Sequence, residues 1–278
     1  MEPTRRALSG SRRVTLARFV AVVVVLALLI VGVVVVTRPH AGRASPSCKV
    51  TSAAQPVTLD LAQSANATTI AAVGKRLGMA DHAVTVALAA ALQESGLHNL
   101  AGGDRDSVGL FQQRPSQGWG SVSQLMTPTY AASAFYRALA KVPGWTDVSV
   151  TEAAQRVQRS SAPNAYARWE SEARAVAVAL TGQIAAGLTC SFDTPATTAA
   201  GGQLSDAIVS ELGPPGPGRD VSTARGWTVA NWLVGHASSF GVTAVSFAGQ
   251  RWTPSTGKWG PAPAAGQQVA YRVAPPPA

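Results

Sequence analysis

The sequence predicts a mainly α-helical domain behind one N-terminal transmembrane helix, followed by a small α+β domain, and three observations carry that expectation. Residues 19–36 are 18 positions without a charged side chain, near the lower length limit for a bilayer span. Residues 83–92 are Ala, Val and Leu interrupted only by Thr85, a run too long and too Ala-rich for a typical strand, which predicts a buried helix. Residues 242–247 and 267–273, beyond a small, polar, Pro- and Gly-punctuated stretch at 191–203, read as strands.

The membrane reading sets the compartment. Arg5, Arg6, Arg12, Arg13 and Arg18 precede the apolar run, which predicts a cytoplasmic tail at 1–18, an anchor at 19–36 and an extracytoplasmic bulk. The competing reading is a cleaved signal peptide, against which Thr37-Arg38-Pro39-His40 offers no small-x-small cleavage site directly after the run. A net charge of +9 invites a nucleic-acid partner, but eight basic residues and one acid fall within 1–49, a net of +7. Topology and anionic lipid account for that basicity, so no nucleic-acid partner is expected.

Two cysteines, Cys48 and Cys190, bracket the helical region, and in an oxidising compartment such a pair predicts a disulfide. His40, His82, His98 and His236 show no ligand spacing with acids or cysteines, so neither a metal nor a cofactor is expected.

Residues 37–65 read as a short stalk that holds the first domain off the membrane. Ile70, Val73 and Leu77 recur at helical spacing, predicting a helix over 66–77. Asp81 reads as the N-cap of the buried helix that follows. That helix runs into Gln93-Glu94-Ser95-Gly96, where Gly96 can take the left-handed conformation that stops a helix. Glu94 is thereby delivered to the edge of an apolar core, where burial and the negative end of the helix dipole both favour a carboxyl that can donate a proton. Thr127-Pro128 opens another helix that Pro143-Gly144 closes, and 149–189 holds two more, the second over 166–180. Tyr166 and Trp169 on that second helix serve either packing or a cleft. Beyond the linker, 204–212 and 227–240 read as helices; Trp252 and Trp259 either cap a hairpin core or display a glycan platform.

Between Glu94 and Trp119 the chain changes character. Gly102-Gly103-Asp104-Arg105-Asp106 is turn chemistry, and Val108-Gly109-Leu110-Phe111-Gln112-Gln113-Arg114-Pro115 brings apolar and amide side chains together ahead of Trp119. Amides offer donors and acceptors to sugar hydroxyl and N-acetyl groups, and an indole face packs on a pyranose ring. Glu94-Ser95-Gly96 followed by Gly109-Leu110-Phe111-Gln112 resembles the Glu-Ser and Gly-Leu-Met-Gln pair of the lysozyme-like superfamily of soluble lytic transglycosylases and goose-type lysozymes. The stretch Gly-Leu-Phe-Gln-Gln-Arg-Pro is most similar to actinobacterial and phage cell-wall hydrolases. The resemblance spans roughly residues 66 to 188, and the Ala-Tyr-Asn motif typical of the transglycosylases is replaced, at the comparable place, by residues 153–160.

The resemblance implies a lysozyme-like domain at 66–190 that cuts the bond between N-acetylmuramic acid (MurNAc) and N-acetylglucosamine (GlcNAc) in peptidoglycan strands, with Glu94 as catalytic acid. Ser95, Gln112, Gln113, Trp119 and Tyr166 are the candidate substrate contacts, and 204–278 is a small α+β domain with no assigned role. Nothing in the sequence names a protein partner. Asp104 and Asp106 are the nearby candidates for a second carboxylate, although short acids in a Gly-flanked turn more often bond the local backbone. With a second carboxylate the enzyme is a muramidase; the turn role of these aspartates leaves Glu94 working alone, so a lytic transglycosylase is the expected enzyme. The reading from a different class is a non-catalytic peptidoglycan-binding or scaffold protein that uses the same cleft.

Overall fold

The computed structural model describes residues 45–51, 56–193, 201–263 and 266–275. The expected cytoplasmic tail and membrane anchor lie outside the described residues, and among those described no helix is long and apolar enough to cross a membrane. The described chain is mixed α and β, with two small antiparallel sheets.

Two short strands, β1 (Ser47–Val50) and β2 (Val57–Leu59), lead into helix α1 (Leu61–Arg76). Helix α1 starts earlier than its apolar spacing predicts because Asp60 and Gln63 form a reciprocal capping box: the Asp60 carboxylate accepts from the Gln63 N–H, and the Gln63 side chain accepts from the Asp60 N–H. Helix α2 (Asp81–Ser95) follows, buried continuously from Ala83 to Leu92. Its N-cap is Ala80, so Asp81 sits in the first turn, favourably placed toward the helix dipole, rather than capping it. The short α3 (Val122–Leu125) precedes α4 (Pro128–Leu139), which opens with proline at its first position. Helices α5 (Val150–Gln158) and α6 (Glu170–Leu180) complete the layer around α2. Strand β3 (Leu188–Ser191) then returns to β1.

After the undescribed stretch 194–200 come α7 (Gly201–Ala207), a π-helical turn at Ile208–Leu212, α8 (Thr223–Gly235) and α9 (Ala237–Phe240). Strands β4 (Val242–Phe247), β5 (Gln250–Thr253), β6 (Lys258–Pro261) and β7 (Ala270–Val273) form the second sheet, ordered β6-β5-β4-β7. The first sheet is ordered β2-β1-β3.

Two expectations about chain organisation need revision. Part of the expected stalk is body: Cys48 and Val50 are fully buried in β1, and the expected linker begins with the last residue of β3. From Ser45 onward the chain also forms one compact unit. Helix α8 packs on α1, the Asn231 side chain donates to Ala179 O at 2.9 Å, and it accepts from Leu188 N at 3.1 Å. The open question about the tryptophans resolves toward packing. Trp252 is fully buried with its indole N–H on Cys190 O at 3.0 Å, and half-buried Trp259 donates to Leu188 O at 2.8 Å.

Cys48 faces Cys190 across the β1–β3 register, and the two are joined in a disulfide that closes a sequence separation of 142 residues. Removing it in a Cys48→Ser/Cys190→Ser variant is expected to lower unfolding free energy by about 2–4 kcal/mol. Urea denaturation of the full-length protein in mild detergent, compared with wild type, measures the loss. An unchanged midpoint and slope would show that the crosslink restrains nothing.

Candidate active site

The C-terminal end of α2 is held from three sides. Gly96 takes the left-handed conformation (φ 60°, ψ 33°), and the N–H groups of Gly96 and Leu97 return to Leu92 O and Ala91 O at 3.1 Å. From α1, Gln63 donates to Gly96 O at 2.9 Å and Asn66 to Leu97 O at 2.8 Å. Ser95 sends its hydroxyl to Leu110 O at 2.7 Å and so joins the helix end to the loop opposite. These bonds fix the backbone that carries Glu94.

Glu94 itself is half-buried and lines a cleft of about 1250 Å³. The Tyr166 hydroxyl donates to its Oε1 at 2.7 Å. Tyr166 has no exposed surface, and burial first, then the neighbouring Glu94 carboxylate, push its hydroxyl well above the ordinary phenol value. It therefore remains a donor throughout the physiological range. The expectation that Tyr166 touches sugar is not what the geometry offers, since the ring is buried and its polar atom is turned to the carboxylate.

The facing loop is a tight turn closed by Val108 and Gln113, which exchange backbone hydrogen bonds at 3.0 and 3.1 Å. Gly109 is required there: its φ is 80°, and a Cβ would stand 2.5 Å from Leu125 O. Gln112 adopts the same left-handed region at φ 46° without being glycine, a conformation that costs about 1–2 kcal/mol and that its neighbours must sustain. Its amide donates to Gly109 O at 3.1 Å and accepts from Ser107 Oγ at 2.9 Å. Phe111 stacks on Phe135, and Gln158 from α5 donates to Phe111 O at 2.9 Å.

The cleft brings Glu94, Asp104, Gln112, Gln113 and Trp119 together, whereas Ser95, Asp106 and Tyr166 do not line it. Gln113 is 2% exposed, and its amide reaches Ala131 O at 3.4 Å. Trp119 is half-buried, with its carbonyl accepting from the Tyr130 hydroxyl at 3.3 Å. The two aspartates part company. Asp106 accepts from Ser116 N and Arg114 Nε at 2.7 Å and from Ser116 Oγ at 3.0 Å, and these bonds hold its carboxyl well below the usual range. It is a loop fastener. The Asp104 side chain is 93% exposed and lies 3.8 Å from Arg105 Nε.

No group of three or more His, Cys, Asp or Glu side chains able to hold a metal ion occurs among the described residues. Compared with known proteins, the chain matches no protein-family model and no curated protein.

Proposed function

We propose that the protein is a membrane-anchored, extracytoplasmic enzyme of peptidoglycan strands: a lytic transglycosylase that cuts the MurNAc–GlcNAc bond with Glu94 as its single acid and base. The observation that carries this reading is the unequal standing of the carboxylates. Glu94 is half-buried in the cleft and oriented by a buried tyrosine, Asp106 is engaged by Arg114 and Ser116, and Asp104 stands in solvent with only the exposed Arg105 guanidinium, 3.8 Å away, beside it. A single oriented carboxyl suffices if the nucleophile belongs to the substrate. Glu94 gives its proton to the GlcNAc oxygen as the bond to the muramyl anomeric carbon breaks. The muramyl C6 hydroxyl then closes on that carbon, and its proton returns to Glu94. No water enters, and the product carries a 1,6-anhydromuramic end.

The test is mass spectrometry of purified wall digested by the full-length protein. Anhydro ends, lighter by one water than reducing ends, are expected. Reducing-end products that disappear in Asp104→Asn would instead establish a two-carboxylate muramidase.

A further inference from the structure

The cleft is far more cationic than the body that contains it. Arg105, Arg114, Arg137, Lys141, Arg156 and Arg159 line it against only two carboxylates, Glu94 and Asp104. Three of the six are tied to acids: Arg114 to Asp106 at 2.7 Å, Arg156 to Glu152, and Arg105 to Asp104 at 3.8 Å. Arg137, Lys141 and Arg159 have no ion-pair partner among the described residues, although acids are available to other basic side chains elsewhere on the surface. They lie on, or just beyond the ends of, α4 and α5, which pack against each other. Arg137 belongs to the last turn of α4 and lies 5.8 Å over the Tyr130 ring, whose hydroxyl meets Trp119. Lys141 follows one turn later, and Arg159 caps the end of α5 in a left-handed conformation at φ 51°, a place where glycine or asparagine would be the unstrained choice. Arg159 is also next to Gln158, which holds the Phe111 carbonyl of the facing loop.

A neutral glycan gives such a lining nothing to pair with, while a concave surface of one sign concentrates ligands of the other. Muramyl residues are the sugars of the proposed substrate that carry an acid: the lactyl carboxyl is either free or extended by a peptide stem that bears free carboxylates of its own. Resting on the proposed activity, we infer that Arg137, Lys141 and Arg159 recognise these carboxylates, so that the substrate class is the anionic muramyl glycan and not its charge-neutral form.

The experiment uses full-length protein in neutral detergent and three substrates from one wall preparation: strands with intact stems, strands stripped to the free lactyl carboxylate, and intact strands with their carboxylates converted to amides. Cleavage of the amidated strands is expected to be slower by about tenfold or more. The advantage of the charged strands should shrink as ionic strength rises from about 0.05 to 0.3 M, because the Debye length shortens over that range. The stripped strands say whether the lactyl or the stem carboxylate is read. An Arg137→Gln/Lys141→Gln/Arg159→Gln variant should cleave all three at the amidated rate, and Arg137→Lys/Lys141→Arg/Arg159→Lys should keep the preference, which separates loss of charge from loss of folding. Equal, salt-independent cleavage of charged and amidated strands would overturn the inference and leave the proposed activity standing. Conversely, sedimentation binding by Glu94→Gln that discriminates charged from amidated strands, with no cleavage by wild type, would keep the recognition and overturn the activity.

Discussion

Glu94→Gln should abolish wall cleavage, with kcat lower by about 10²–10⁴ and strand binding retained, because the amide fills the same space and cannot deliver a proton. The surroundings make this a clean substitution. The helix end is fixed by Gln63, Asn66 and Ser95 through backbone carbonyls that do not involve the Glu94 side chain, and the Tyr166 hydroxyl can donate to an amide oxygen as it does to Oε1. Tyr166→Phe removes that donor and leaves the buried ring, and its expected loss is smaller, about ten- to hundredfold, the range for a hydrogen bond to a charged group. Turnover of purified wall, followed by release of soluble fragments, measures both variants. A Glu94→Gln protein that still releases fragments at the wild-type rate would remove Glu94 from the chemistry.

How much of this was legible in the sequence depends on the range of the interactions involved. Gly96 as a helix stop, Pro128 as a helix start and Val242–Phe247 as a strand are local decisions of dihedral freedom and side-chain branching, and they appear where the sequence places them. The first sheet is not local. Its strands β1, β2 and β3 have four, three and four residues, too short to display a period of two, and Cys48 meets Cys190 across 142 residues. Of that sheet only the cysteine pairing could be anticipated. At the candidate site, the motif residues Glu94, Gln112 and Trp119 converge on one cleft, but the amide of Gln112 is engaged by Ser107 and Gly109 within its own loop. The role of Tyr166 was legible only as a choice between packing and a substrate contact, and only the tertiary fold brings its hydroxyl across 72 positions to a carboxylate. The charge of the cleft was hidden as well, because the residues beyond 49 carry a net of only +2, a sum that conceals six basic side chains against two carboxylates around one cleft.

The largest stability effect is expected at Glu211, within the stretch 204–212 expected to be helical, whose side chain is buried at 8% exposure. Its Oε2 accepts from Thr69 Oγ1 and Trp232 Nε1, both at 2.7 Å, and its Oε1 accepts from Thr129 Oγ1 at 3.1 Å. The His236 imidazole stands 3.6 Å from Oε2 and 3.2 Å from Thr69 Oγ1. The carboxylate thus gathers α1, α4 and α8 around the π-helical turn, and joins the C-terminal segment to the helices that carry the cleft. Glu211→Ala takes the acceptor from two buried donors, Thr69 and Trp232, and from half-buried Thr129, and is expected to cost about 3–5 kcal/mol, the range for breaking a buried charged cluster by removing one partner. Melting temperature should fall by about 10 °C. Burial alone pushes the Glu211 carboxyl up, but the His236 imidazole and the Trp232 and Thr69 donors outweigh it and hold the folded value below the ordinary 4.5. A lowered folded value means that the stabilising contribution is complete above about pH 4.5 and is lost as the pH falls through that lower value. Thermal melts of full-length protein from neutral to acid pH should therefore show wild-type stability declining on the acid side, and Glu211→Gln, less stable at neutral pH, declining less steeply over the same interval. Parallel acid limbs in the two proteins would mean that the carboxylate does not titrate with folding, and that the cluster holds these elements together by packing alone.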